Sequence, residues 1–131
     1  MLFRSYEALG SGNVAYVRCN RALLLSERGD QAAVATLVDR HLPEFDKSAV
    51  DLLRIGARLL RVAAAAALGD WPTWDLRFDE AVRLIAESGT VERDVARTAD
   101  RAADLAEHAG ETARATQARA LARRQWTALG S

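Results

Sequence analysis

Between Val50 and Leu68 the polar residues Asp51, Arg54, Arg58 and Arg61 recur at three- and four-residue steps. Positions three and four apart share a helix face, so these four form one stripe and the remaining surface is apolar or alanine. A helix apolar around most of its circumference must be covered on more than one side. Gly69-Asp70-Trp71-Pro72 breaks the pattern, and helical spacing resumes from Thr73 to Ser88. There Trp71, Trp74, Phe78, Val82 and Ile85 make an apolar stripe, with Asp75, Asp79 and Arg83 opposite. Asp79 and Arg83 are spaced for an i,i+4 ion pair worth about 0.3–0.5 kcal/mol.

The neighbours of this helical pair follow from the same periodicity. Leu2 to Leu9 reads as a closing helix with Phe3, Tyr6 and Leu9 or Leu2 inward. Asn13 is placed to cap a helix running to about Arg28, in which Val14, Val17, Leu24 and Leu25 are apolar and Arg18, Arg21 and Arg28 are not. Gln31 to Leu42 is its partner, Pro43 to Lys47 the connection, and Ser48 the cap of the central helix. Thr90 caps a further helix with Val91, Val95, Thr98, Ala102, Leu105 and Ala109 inward, and Thr112 opens the last. Both prolines, Pro43 and Pro72, fall at expected helix boundaries.

The turns repeat. Gly29-Asp30, Gly69-Asp70 and Gly110-Glu111 are 40 and 41 residues apart, each glycine closing one helical pattern and each acidic residue preceding the next. Tyr6-Glu7-Ala8-Leu9-Gly10-Ser11 is echoed by Trp126-Thr127-Ala128-Leu129-Gly130-Ser131, about three periods later. The expected fold is all-α: antiparallel helical hairpins stacked as a short right-handed α-solenoid with a period of about 40. One helical-repeat domain covers residues 1–131, with 1–10 closing an incomplete unit and hairpins at 13–45, 48–89 and 90–130. Alanines such as Ala63 to Ala67 allow the helices to approach closely.

Composition narrows the function. Half of the 131 residues are apolar but only 6% aromatic, which suits closely packed helices better than a β-sandwich. Eighteen basic and eighteen acidic residues cancel, which argues against nucleic acid as a partner. No apolar run reaches membrane length, and Met1 to Gly10 lacks the features of a signal peptide. The single Cys19 excludes an internal disulfide and fits a reducing, cytoplasmic compartment.

A helix, a Gly-Asp turn and a second helix with small and bulky residues interleaved (Phe78 with Ala81, Ala118 with Leu121) is similar to the tetratricopeptide repeat, although that repeat is 34 residues long. Leu68 to Asp75, Leu84 to Gly89 and Ala118 to Gly130 further resemble the C-terminal repeat region of large bacterial serine/threonine kinases and related ATPase regulators. The resemblance implies a scaffold that binds a protein or peptide segment, without the enzyme, since the chain has no glycine-rich phosphate loop, catalytic loop or Asp-Phe-Gly.

The candidate binding residues are arginines. Arg18 and Arg58 stand eleven residues before their turn glycines, and Arg21 and Arg61 eight before. Stacked hairpins would bring them, with Arg54, onto one face where an acidic peptide is held by charge-assisted hydrogen bonds. The same residues also suit a solvated stripe that keeps an apolar helix soluble, paired with Asp51 or an acidic neighbour. Leu2, Phe3 and Tyr6 leave an apolar end suited to self-association, giving a homodimer as the alternative. Trp71 and Trp74 suit either packing between hairpins or a partner anchor. His41 and His108 have no second ligand at metal spacing, so no metal or cofactor is expected, and no catalytic constellation is visible.

Overall fold

Six α-helices joined by short turns form the computed structural model, which describes residues 14–130. They are α1 (Val14–Glu27), α2 (Gln31–Lys47), α3 (Asp51–Leu68), α4 (Trp71–Ser88), α5 (Arg93–His108) and α6 (Thr112–Ala128). No strand occurs among the described residues, so the all-α class is as expected. The expected Leu2–Leu9 helix, the Asn13 cap and the self-association residues Leu2, Phe3 and Tyr6 lie outside the described residues.

Consecutive helices pack as α1–α2, α3–α4 and α5–α6, and α3 is also flanked by α1, α2 and α5. Its apolar circumference is thereby divided between two cores. Leu53, Ala57, Leu60 and Ala64 join α1 and α2. Ile55, Leu59, Val62, Ala63 and Ala66 join α4, α5 and α6. Burying each of the larger side chains contributes about 1.5–3 kcal/mol. Trp74, fully buried, stacks on Phe78 with ring centroids 6.0 Å apart, and Trp71 is partly buried against the same core. Both tryptophans therefore pack within the fold.

The three Gly-acidic corners share one hydrogen-bond pattern. The N–H groups of Asp30, Asp70 and Glu111 each donate to a carbonyl five residues back (Leu25, Ala65 and Ala106), all at 2.9 Å. Such a Schellman turn needs the intervening residue in the left-handed region, and Gly69 supplies φ 73° without the penalty a Cβ brings. Asp30 and Asp70 then accept from the N–H groups of Ala33 and Thr73, capping α2 and α4.

Several boundaries differ from the sequence expectation. Pro43 lies inside α2, which continues to Lys47. Proline has no N–H to return to the carbonyl four residues earlier, but the last turn is held by fully buried Phe45 and by Asp46 bonded to Arg58. Pro72 likewise falls within the first turn of α4, where its missing N–H costs nothing. Ser48 closes α2, donating to the Phe45 carbonyl at 2.6 Å, while Val50 starts α3 without a side-chain cap. At the start of α5, Glu92 and not Thr90 is the cap. Buried Gln125 accepts from the Glu92 N–H and donates to the Thr90 carbonyl, both at 2.9 Å, which holds that segment outside the helix. Val91 and Ala109, expected inward, are exposed because they flank α5. The Asp79–Arg83 pair is not among the ion pairs of the described residues; Asp75, one turn earlier, bonds Arg114 of α6 instead.

Candidate functional site

The five arginines expected to line one face divide into two groups, because α3 packs against α1, α2, α4 and α5 and, among the described residues, α1 packs against α2 and α3. Arg58 and Arg61 are each only 6% exposed. Arg58 grips Asp46 of α2 through Nη1 and Nη2 at 2.7 and 3.0 Å, and Glu80 of α4 through Nε at 3.0 Å. Arg61 donates through Nε to Asp39 of α2 at 2.8 Å and lies 3.6 Å from Asp70 of the α3–α4 turn. Arg54 is half-buried and reaches Asp46 and Asp51 at 3.6 and 3.5 Å. The hydrogen bond from Arg58 is the main reason that the Asp46 carboxyl sits below the usual carboxylate range. Partial burial works against ionisation of Glu80, but the hydrogen bonds from Arg77 and Arg58 prevail and lower its pKa as well.

This corrects the sequence expectation for Arg54, Arg58 and Arg61. Arg58 and Arg61 are buried and engaged by carboxylates of the chain, so they do not offer a surface to an incoming carboxylate, while partly exposed Arg54 pairs with Asp51 and Asp46 as an ion-paired stripe would. Their guanidinium groups tie α2 and α4 to α3 through carboxylates of the chain itself. The sequence reading missed Asp39, Asp46 and Glu80, which lie 22, 12 and 22 residues from their arginines. No local spacing signals such pairs.

Arg18 and Arg21 are placed differently. A groove of about 550 Å³ lies between α1 and α2, lined by apolar Leu25, Ala32, Ala33 and Leu37 together with Arg18, Arg21, Arg40 and His41. Arg18 is paired with Glu44 of α2, whose carboxylate also lies 3.4 Å from His41 Nδ1. Arg21 and Arg40 are exposed and have no ion pair among the described residues. Two cations beside apolar side chains can hold a carboxylate carried on an apolar scaffold by charge-assisted hydrogen bonds. Arg40 and His41 were not singled out in the sequence, although Thr36, Leu37, Arg40 and His41 share one face of α2 at helical spacing.

Two smaller grooves are mixed in charge. One of about 330 Å³ is lined by Glu107, Arg119 and Arg123, and one of about 210 Å³ by Arg58, Glu80, Arg83 and Glu87. Cys19 is fully buried, and burial pushes its thiol pKa well above the usual range, so it is chemically quiet. Among the described residues no group of three or more His, Cys, Asp or Glu side chains could hold a metal, and no helix is long and apolar enough to cross a membrane.

In comparisons with known proteins, no family model, curated protein or solved structure matches the chain.

Proposed function

We propose that this chain is a non-catalytic protein-interaction scaffold of the tetratricopeptide-like kind, its three helix pairs being units of a short right-handed solenoid. The resemblance to repeat regions of bacterial signalling kinases and ATPase regulators gives the setting for such a module. Its binding site in this reading is the α1–α2 groove, and its ligand is an acidic peptide segment. The observation that carries the reading is that Arg21 and Arg40, exposed and without an ion pair among the described residues, line one groove with apolar Leu25 and Leu37. The shared Schellman pattern at Gly29, Gly69 and Gly110 favours the repeat.

Selection of random peptides on the full chain tests the proposal. Sequences rich in Asp and Glu with interspersed Leu and Val should be enriched, and Arg21→Glu combined with Arg40→Glu should abolish the enrichment. Acidic peptides retained equally by the doubly reversed variant would refute the groove. Self-association is the second reading, favoured by the exposed Val14, Val17 and Leu24 on α1. Light scattering separates the two: a dimer that peptide does not dissociate supports the second.

A further inference from the structure

The way α2 lies on α3 provides an internal template for what the α1 surface receives. With the 40-residue offset of the first two turns, the buried α1 residues Ala15, Cys19, Ala22 and Leu23 correspond to Ile55, Leu59, Val62 and Ala63. Those four form the α3 face turned toward α4, α5 and α6. The opposite α3 face, Ala57, Leu60 and Ala64, packs in the core shared with α2. Its α1 counterparts are Val17, Asn20 and Leu24. Val17 is 48% and Leu24 40% exposed, and Asn20 Oδ1 is hidden from solvent with no hydrogen-bond partner among the described residues. An α1 face that matches a helix-covered surface thus carries exposed apolar side chains, Val17 and Leu24.

The charges follow the same correspondence. Arg58 takes one carboxylate from its own helix pair, Glu80, and a second from the helix laid against it, Asp46. Its counterpart Arg18 has the first kind in Glu44. Arg61 takes Asp39 from α2, and its counterpart Arg21 has no ion pair among the described residues. Asp39 and Asp46 stand seven residues apart, two helical turns or about 10.5 Å along the axis. Arg58 reaches the later carboxylate and Arg61 the earlier, which fixes the two helices antiparallel.

We infer that the α1 face bearing exposed Val17 and Leu24, beside the α1–α2 groove, receives an acidic amphipathic helix from a partner protein, antiparallel to α1, with two carboxylates seven residues apart facing Arg18 and Arg21. The inference goes beyond the acidic-peptide groove: it places a helical ligand on the neighbouring face of α1 and specifies its direction and charge spacing. Apolar side chains between the carboxylates, as Val38, Leu42 and Phe45 provide in α2, would cover Val17 and Leu24.

The probe is a synthetic peptide with the sequence of residues 31–47, stapled through positions 32 and 36, which are exposed in α2. Its binding to the full chain is read by fluorescence anisotropy. The stapled peptide should bind, and Asp39→Asn with Asp46→Asn in the peptide should weaken it about tenfold or more. Arg21→Glu in the protein should do the same, and an Asp39→Arg peptide should restore binding to that variant. Circular dichroism melting of Arg21→Glu establishes that the fold is kept. Binding unaffected by Arg21→Glu would mean that the peptide replaces the chain's own α2, which overturns the inference. If an Ala35→Pro unstapled peptide binds as well as the stapled one and both are lost with Arg21→Glu, the helical form is wrong and the inference is overturned. If neither binds, the helix inference is overturned, and the peptide selection decides the groove independently.

Discussion

Replacing Arg58 by methionine keeps an apolar stem of similar length and removes the guanidinium that ties α2 and α4 to α3. The loss comprises two hydrogen bonds to Asp46, at 2.7 and 3.0 Å, one to Glu80 at 3.0 Å and one to the Arg54 carbonyl at 3.2 Å. Removing one partner of a fully buried ion pair costs about 3–5 kcal/mol, because a charge is left uncompensated. Here the carboxylates are less deeply placed: the Asp46 and Glu80 side chains are 38% and 28% exposed, so water compensates part of the charge. Arg77 also remains 2.7 Å from Glu80, and Arg54 stays 3.6 Å from Asp46. The expected destabilisation is therefore about 2–3 kcal/mol, or a fall in Tm of roughly 10 °C for a chain of this size. Urea unfolding followed by circular dichroism measures it directly. Arg21→Met, at a side chain with no ion pair among the described residues, should change stability by no more than about 0.5 kcal/mol. In the Arg58→Met background, Asp46→Asn with Glu80→Gln should recover part of the loss by removing the stranded charges. A cost below about 1 kcal/mol for Arg58→Met, or one matched by Arg21→Met, would refute the division into structural and available arginines.

Acid should destabilise the fold through the same contacts. Asp46, Glu80 and Asp75 have pKa values lowered by arginine hydrogen bonds. A carboxylate with a depressed folded-state pKa contributes stability above its unfolded value and loses it as pH falls through the folded value. The urea midpoint should thus hold between about pH 5 and 7 and fall below about pH 4; a midpoint unchanged at pH 3 would contradict it. Gly69→Ala meets no atom within 4 Å of the new Cβ, so only the left-handed backbone is penalised, by about 1 kcal/mol. Thermal melting checks it, with Gly29→Ala and Gly110→Ala expected to match. Cys19 should react with a thiol reagent only at the rate at which the fold opens, and fast labelling of the native chain would show that the α1–α2 core is not closed.

The sequence by itself determined the helices and their corners. A 3.6-residue rhythm and a Gly-acidic turn are local signals, so Gly29, Gly69 and Gly110 could be assigned without knowing what packs where. Local signals also misled where a distant residue prevailed. Pro43 reads as a stop until Phe45 and Asp46 are anchored, and Thr90 reads as a cap until Gln125 clamps it 35 residues away. The arginine stripe shows the limit most clearly. Arg18, Arg21, Arg58 and Arg61 occupy equivalent positions in the sequence pattern, yet two are buried in ion pairs and two line an open groove. Chain order dictates which residues share a helix face. Only the tertiary packing decides whether another helix covers it, because burial and charge pairing depend on neighbours that α3 has on several sides and that, among the described residues, α1 has on fewer.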